Sequence, residues 1–316
     1  MKPGILLLFL FFQHTGFSQS GILIKENTLI PEGIAIDPRN GNIYISSIAK
    51  HKIVKVTHNN EVSDFIKEGD QGFLEGLGLK VDTKRNILWG LSNKRSGKSF
   101  TSQIHGFELN TAERKYYYSF QDTIPHLLND LVLDSDGNLV ITDTYFSSIY
   151  KFYPASQKLE LYVKSPQIKY PNGLAFGKDQ KLYVATYGTG LLQIDLQSKN
   201  IQPLSGFKDS AIAFGLDGLV YSAGRLYGIY NADTTQESNT IINYQLDEKK
   251  GKIVKETILD KGNPDFFDPT TAAFYKNKLY VIANSHLDKY NKNKESVYGI
   301  ENLLRPAKIL VYDLKE

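Results

Sequence analysis

A short strand-forming phrase recurs six times along the chain, and this repeat limits the possible fold more than any other feature. Successive copies begin 45, 52, 43, 45 and 53 residues apart. The copies are Glu32–Asp37, Leu77–Asp82, Asn129–Asp134, Asn172–Gly177, Asp217–Ser222 and Thr270–Tyr275. A period in the forties with only strand-like content is typical of β-propeller blades. The sequence therefore predicts an all-β fold, a six-bladed β-propeller.

Each repeat continues with further strands. A second strand such as Asn42–Ser47 follows a tight turn carrying Asn40-Gly41, a pair that tolerates hairpin geometry. A third strand follows, as in Lys52–Val56, and the last repeat ends at its third strand, Lys308–Tyr312. One outer strand is then missing, and an open ring would expose a pairing edge. We expect the segment Ile22–Glu26 to supply this strand and close the ring.

The first twenty residues have the pattern of an export signal. Lys2 precedes the apolar run Ile5–Phe12, and small residues follow at a spacing that suits cleavage near Ser18 or Ser20. The run is too short to cross a membrane, which takes about 20 apolar residues. We expect residues 1–20 to be a signal peptide and residues 21–316 to form a single propeller domain. The mature protein is then exported, periplasmic or secreted, with no membrane span.

Composition excludes several classes of function. The 37 basic residues barely exceed the 34 acidic ones, and a net charge of +3 leaves no excess for binding nucleic acid. The absence of cysteine excludes disulfides, thiolate zinc sites and cysteine nucleophiles. We expect a monomer whose partner is a small-molecule substrate.

The two longest repeats carry insertions. They fall near residues 93–102 in the second repeat and 233–238 in the fifth, and a further polar stretch covers residues 288–296 in the sixth. Such runs are typical of loops on one rim of a propeller. Whether they form a lid stays open at this stage.

The repeat phase brings one position of every blade to the ring axis. The residue just before the innermost strand lies at one end of the central channel, and the six positions are Glu32, Leu77, Asn129, Asn172, Asp217 and Thr270. Two carboxylates and two amides form a hard-oxygen cluster that suits Ca²⁺, whereas zinc or copper would favour histidine or cysteine. Asn and Asp before a strand are also common turn residues, which is the alternative interpretation.

The same phrases resemble a known family. Pro31–Asp37, Leu128–Asp134, Tyr170–Phe176 and Gly215–Gly218 are similar to motifs of the senescence-marker-protein/gluconolactonase family and its paraoxonase relatives. The resemblance implies a six-bladed propeller with a catalytic divalent cation, commonly Ca²⁺, that hydrolyses lactones, esters or organophosphates. It also implies a metal shell, and the matching positions are Glu32, Asn129, Asn172 and Asp217. In many relatives the equivalent of Asn129 also touches substrate.

Two departures from the family patterns limit the mechanism. Gluconolactonases usually have a tryptophan soon after the first Glu, but Ile34-Ala-Ile stands here. Paraoxonases place a histidine in the second blade near the channel, where this chain has Leu77. A histidine-dyad mechanism is therefore not expected.

The resemblance implies a mechanism in which the cation polarises a substrate carbonyl while water attacks. Either Asp217 or Glu32 could act as the base towards that water, and family analogy favours Asp217. His126 is the histidine best placed to assist proton transfer. Asn129 completes the candidate catalytic set. Five further residues are candidates for the substrate pocket, and they are Leu77, Tyr145, Tyr187, Asn231 and Thr270.

We therefore expect an exported Ca²⁺-dependent hydrolase of lactones or small esters. One alternative is a non-catalytic propeller that binds a ligand or protein partner and keeps a cation for structure alone. A second is a metal-free scaffold. The fold alone does not decide among them, because propellers carry many functions.

Overall fold

The computed structural model describes residues 19–208, 210–232 and 235–314. These residues form six four-stranded sheets, and every pair of neighbouring strands within a sheet is antiparallel. The predicted six-bladed β-propeller is confirmed. Each of the six repeated phrases supplies the innermost strand of one blade.

The strands follow one another in blade order. The first half of the chain contains β1 (Gln19–Ile24), β2 (Pro31–Ile36), β3 (Ile43–Ser47), β4 (Lys52–Val56), β5 (Val62–Ile66), β6 (Glu75–Asp82), β7 (Ile87–Ser96), β8 (Ser99–Glu108), β9 (Arg114–Asp122), β10 (Leu128–Leu133), β11 (Leu139–Asp143), β12 (Ser148–Tyr153) and β13 (Lys158–Lys164). The second half contains β14 (Pro171–Phe176), β15 (Leu182–Thr186), β16 (Gly190–Asp195), β17 (Asn200–Pro203), β18 (Leu216–Ser222), β19 (Arg225–Tyr230), β20 (Thr240–Asp247), β21 (Lys252–Lys261), β22 (Ala272–Tyr275), β23 (Lys278–Ile282) and β24 (Ala307–Asp313).

Five blades are simple meanders, from β2–β5 to β18–β21, and the sixth has the order β22-β23-β24-β1. The N-terminal strand β1 is its outermost strand and pairs with β24, with Ile22 opposite Ile309. Closure of the ring by an N-terminal strand is therefore confirmed. The strand begins at Gln19, three residues earlier than the predicted segment.

Blade position explains the burial of the strands. Inner strands are sandwiched between neighbouring blades, so all six residues of β2 are buried, and apolar residues on both faces stabilise them. Outer strands face solvent on one side, and β9 accordingly alternates between half-buried and exposed residues. Trp89 of β7 is fully buried between the second and third blades, where it packs near Phe152.

Three details differ from the sequence predictions. Residues 93–102, expected to form a loop, belong mainly to an extended hairpin of the ten-residue strands β7 and β8. Two short helices occur where the pattern showed none, and they are α1 (Ser210–Ala213) and α2 (Leu287–Lys292). Helix α2 is six residues long, too short for its spacing of apolar residues to be visible as a periodic pattern.

The predicted signal peptide lies almost wholly outside the described residues, and only Gln19 and Ser20 are described, at the start of β1. Within the described ranges, no helix has the length and apolar character needed to span a bilayer. Residues 233 and 234 of the fifth-blade insertion also lie outside the description.

Candidate metal centre and substrate cavity

A repeated β-bulge turns the candidate metal residues towards the ring axis. In five of the six inner strands the pairing register shifts at the candidate position, as between Pro31 and Ile34 in β2 and between Leu216 and Leu219 in β18. A bulge leaves one residue out of the ladder and redirects its side chain. The repeat therefore specifies a local distortion in each of these blades as well as a strand.

Glycine follows the candidate position in four blades and lets the inner strands approach closely. A methyl group on Gly33 would overlap the carbonyl oxygen of Leu77 in the next blade. One on Gly78 would lie 2.7 Å from the carbonyl oxygen of Asn129. Side chains at these positions would push the blades apart, so these glycines keep the bulges close to the axis.

The four candidate ligands line one small void on the axis. Glu32, Asn129, Asn172 and Asp217 each expose 8% or less of their surface. They surround a void of about 10 Å³, to which Asp130 also contributes. The structure thus brings together the four oxygen-bearing residues that the repeat phase selected, from the first, third, fourth and fifth blades.

Hydrogen bonds hold the amide and carboxylate groups of this set in fixed orientations. Asp217 Oδ2 accepts from Asn231 Nδ2 at 2.6 Å, and Asn231 Oδ1 accepts from the Tyr187 hydroxyl at 2.9 Å. Asn129 Nδ2 donates to Thr144 Oγ1 at 2.9 Å. Because the Asn129 nitrogen is engaged by Thr144, its oxygen is the atom that can serve a cation.

The electrostatics of the void favour a bound cation. Glu32 Oε2 is buried and has no hydrogen-bond partner among the described residues. Burial raises the pKa of Glu32 well above its usual value, and the nearby Asp217 and Asp130 raise it further. Burial also raises the pKa of Asp217 to about 7. An unpaired buried carboxylate beside a second one is costly, and a hard divalent ion would offset both charges.

The donor set therefore fits Ca²⁺, which accepts carboxylate and amide oxygens together. Within the described ranges no group of three or more histidine, cysteine, aspartate and glutamate side chains is placed to hold a metal. The candidate centre differs from such a group because half of its ligands are amides.

A larger cavity of about 420 Å³ opens on one side of the void, and four of the five predicted pocket residues line it: Leu77, Tyr145, Tyr187 and Asn231. Thr270 does not line it, which corrects the prediction. Its side chain is fully buried and donates to the Glu32 carbonyl oxygen at 3.0 Å, joining the sixth blade to the first.

His126 is also placed differently from the prediction. Its Nδ1 lies 2.5 Å from Asp143 Oδ2, and its ring packs against Phe120 and Phe146. The residue is buried and is not part of the cavity lining. This geometry suits a residue that supports the third blade, so the structure gives no support to His126 as a proton carrier.

Comparison with known families assigns the chain. Residues 30–225 match the family model described as "SMP-30/Gluconolactonase/LRE-like region", a stretch that contains all four candidate ligands. The chain belongs to the SMP-30/gluconolactonase/LRE-like family. A search of curated protein sequences returned no significant match.

Solved structures similar to this family member share its fold across nearly the whole chain. A gluconolactonase from Xanthomonas campestris is 15% identical, with a TM-score of 0.58, over 92% of this chain and 88% of that one. A virginiamycin B lyase from Staphylococcus aureus is 13% identical, with a TM-score of 0.59, over 95% and 100%. A PQQ-bound aldose sugar dehydrogenase from Streptomyces coelicolor is 12% identical, with a TM-score of 0.57, over 94% and 98%. At these identities the similarity establishes only the propeller fold, and the chemistry has to be inferred from the residues of the site.

In this SMP-30/gluconolactonase-like chain part of the sixth-blade insertion lines the cavity. Leu287 and Tyr290 of α2 line it, and Tyr290 packs in one apolar cluster with Ile48 and Leu77. Helix α2 is thus one wall of the cavity, anchored on the first two blades. The extended hairpin of the second blade adds Asn93 to the lining.

Sequence reasoning missed several acidic residues of the cavity. Glu75, Asp268, Asp288 and Glu295 all line it. Glu75 stands two residues before Leu77 on the same strand. Because strand side chains alternate between faces every second residue, counting back two residues from Leu77 would have identified it. Asp288 and Glu295 belong to the insertion, which has no counterpart in the other repeats.

Proposed function

We propose that this chain is an exported, Ca²⁺-dependent hydrolase of lactones or small esters. The observation that carries the proposal is the buried, unpartnered Oε2 of Glu32 beside Asp217 at the base of the larger cavity. Two amides from other blades complete the set of oxygen donors. Membership of the family supports a lactonase-type reaction, and the apolar run near the N-terminus supports export.

Glu32, Asn129, Asn172 and Asp217 would hold the ion. A bound Ca²⁺ supplies positive charge that polarises the substrate carbonyl and stabilises the charge that develops on its oxygen.

The protein's own groups would activate and orient the attacking water. In hydrolysis the water oxygen bonds to the carbonyl carbon, the acyl C–O bond breaks, and a proton reaches the departing alkoxide. Asp217 Oδ1 is the candidate acceptor for the water proton, because Oδ2 is held by Asn231 at 2.6 Å. Tyr187 orients Asn231 in turn, so the base sits in a fixed frame.

The apolar walls of the cavity would limit the access of bulk water to the reacting carbonyl. Leu77 and Leu287 provide apolar surface close to the polar base of the cavity, and a cavity of about 420 Å³ accommodates a substrate of modest size. Low water content strengthens the electrostatic contacts of the site.

Turnover and metal content of the purified protein test the proposal. We expect hydrolysis of γ- or δ-lactones or of aryl esters in Ca²⁺, its loss in a chelator, and recovery on re-addition of Ca²⁺. Asn129→Ala should lower kcat by about 100-fold, as loss of an electrostatic stabiliser does. Asn59→Ala, at an exposed position of the first blade, is the matched control and should retain activity.

A folded, Ca²⁺-loaded protein that hydrolyses no lactone or aryl ester would refute the enzymatic proposal. Bound Ca²⁺ without turnover would then favour a non-catalytic propeller whose cation is structural. Metal analysis that finds no divalent ion after loading would refute the metal centre itself.

A further inference from the structure

A second cavity of about 380 Å³ lies on the other side of the metal void from the substrate cavity. The void shares its four candidate ligands with the substrate cavity. It shares Gly33, Asp130 and Thr271 with the second cavity. The metal centre therefore separates the two halves of the central channel.

Two positions of the repeat surround the void and the second cavity, and each carries a charge in one blade only. The residue directly after the candidate ligand position is glycine in four blades, Thr271 in the sixth and Asp130 in the third. The residue three places after that position is alanine or valine in five blades and Lys80 in the second. All six residues of the latter set line the second cavity. The two charged exceptions thus belong to neighbouring blades and have opposite charges.

Asp130 adds a third carboxylate to the metal centre. It lines the void, and its charge adds to burial in raising the pKa of both Glu32 and Asp217. The backbone amide of Leu131 donates to Asp130 Oδ1 at 2.8 Å, which fixes the carboxylate in position. A divalent ion offsets two negative charges, those of Glu32 and Asp217, so the charge of Asp130 remains.

Lys80 is the one basic residue that lines the void or either cavity, within the part of the chain that the structure describes. Its strand, β6, passes next to Asp130, because a methyl group on Gly78 would lie 2.9 Å from Asp130 Oδ1. Burial lowers the pKa of Lys80, and the charge of Asp130 opposes that change. The ammonium group and the carboxylate therefore act on each other across the channel.

We propose that Lys80 is the counter-charge of Asp130 and thereby sets the charge, and with it the calcium affinity, of the metal centre. Three carboxylates and one ammonium group leave a formal charge of −2, which one divalent ion offsets. Lys80 acts on the ion through space, so it is a positioning residue rather than a ligand. The inference rests on the cation site of the proposed function and does not depend on hydrolysis.

Calorimetric titration with Ca²⁺ and with La³⁺ tests the role of Lys80. Lys80→Met keeps the length of the side chain and removes its charge. It should tighten Ca²⁺ binding about fivefold, the effect of one unit charge on a divalent ion across several ångströms of water, and La³⁺ binding about tenfold, because the energy scales with the charge of the ion. Lys80→Arg should bind both ions as wild type does. Lys84→Met, at an exposed position of the same blade, is the matched control and should also bind as wild type does.

Asp130→Asn tests the pair from the other side. It should weaken Ca²⁺ binding about tenfold, because it removes a negative charge beside the void. Adding Lys80→Met to it restores the formal charge of −2 and should bring the affinity back to within about twofold of wild type. A residue with a merely structural role would not restore binding in this way. Glu61→Gln, an exposed acid of the first blade, should leave the affinity unchanged.

These measurements separate the inference from the hydrolase proposal. The expected order of affinities without lactone turnover would support the counter-charge and refute hydrolysis. Equal or weaker Ca²⁺ binding by folded Lys80→Met would overturn the counter-charge and leave the hydrolase standing, as would equal tightening by Lys84→Met. Lys80→Gln takes the place of Lys80→Met if the apolar side chain prevents folding. A wild-type protein that binds neither ion would overturn the inference together with the metal centre.

Discussion

Glu32→Gln should change the stability of the protein in opposite directions with and without calcium. In a chelator at pH 8 the wild-type chain holds Glu32 and Asp217 close together without a counterion, and Glu32 Oε2 has no hydrogen-bond partner. Glutamine has nearly the same shape and no charge, so it removes the repulsion. The variant should therefore be more stable than wild type when metal is absent.

The magnitude follows from the burial of the site. Glu32 is 8% exposed, and leaving a buried charged acceptor unsatisfied costs about 2 kcal/mol. We expect the metal-free variant to melt about 4 °C above the metal-free wild type, since ~1 kcal/mol corresponds to ~2 °C for a chain of this size. Ca²⁺ at 100 times its dissociation constant should stabilise wild type by about 2.7 kcal/mol. The variant has lost a charged ligand and should gain much less.

Thermal melts of both proteins, in a chelator and in excess Ca²⁺, test this reasoning. Wild type should melt below the variant in the chelator and above it in Ca²⁺. A variant less stable than wild type in both conditions would show that Glu32 contributes a favourable native contact. Identical wild-type melting curves in the two solutions would show that no calcium site is present. Glu61→Gln is the matched control and should follow wild type.

Three further substitutions have expected outcomes. Burial lowers the pKa of His105 to about 3, whereas the same side chain in the unfolded chain takes up a proton near pH 6.5. The free energy of unfolding should therefore fall by up to about 1.4 kcal/mol for each pH unit between 6.5 and 3. Chemical denaturation at pH 7 and 5 should show a smaller loss of stability for His105→Gln than for wild type. Gly33→Ala should lower the free energy of unfolding by about 3 kcal/mol, because the new methyl group overlaps the Leu77 carbonyl oxygen. A denaturation midpoint equal to that of wild type would contradict the close approach of the first and second blades at this position. Asn231→Leu removes the side-chain bonds to Asp217 and Tyr187 and should reduce kcat about 100-fold with little change in KM, whereas an unchanged kcat would show that the orientation of Asp217 is not set by Asn231.

The fold was largely predictable because each blade repeats the same sequence of short strands and tight turns. The third strand predicted at Lys52–Val56 has those same limits in the structure, and the inner strand predicted from Asn172 begins one residue earlier, at Pro171. The alternation of apolar residues and the turn signals each depend on a few neighbouring residues, so both can be recognised in a single sequence. The helix α2 was missed because two apolar residues, Leu287 and Tyr290, do not establish a helical period.

The site was predictable only where it follows the repeat. Glu32 and Asp217 stand at the same blade position, and the bulge that both share turns each towards the axis. Glu295 has no counterpart in other blades, and its approach to Glu75 depends on the path of an insertion. The surroundings of His126 could not be predicted from the sequence either, because its partner Asp143 lies 17 residues later, at the end of β11.

The pairing of β1 with β24 has a consequence for biosynthesis. The first described strand finds its sheet partner only when the final strand has been made, with Gln19 opposite Tyr312. Until then the growing chain is an arc, and each end offers unpaired backbone to other molecules. Shortening either end should therefore favour aggregation even where the metal ligands remain intact.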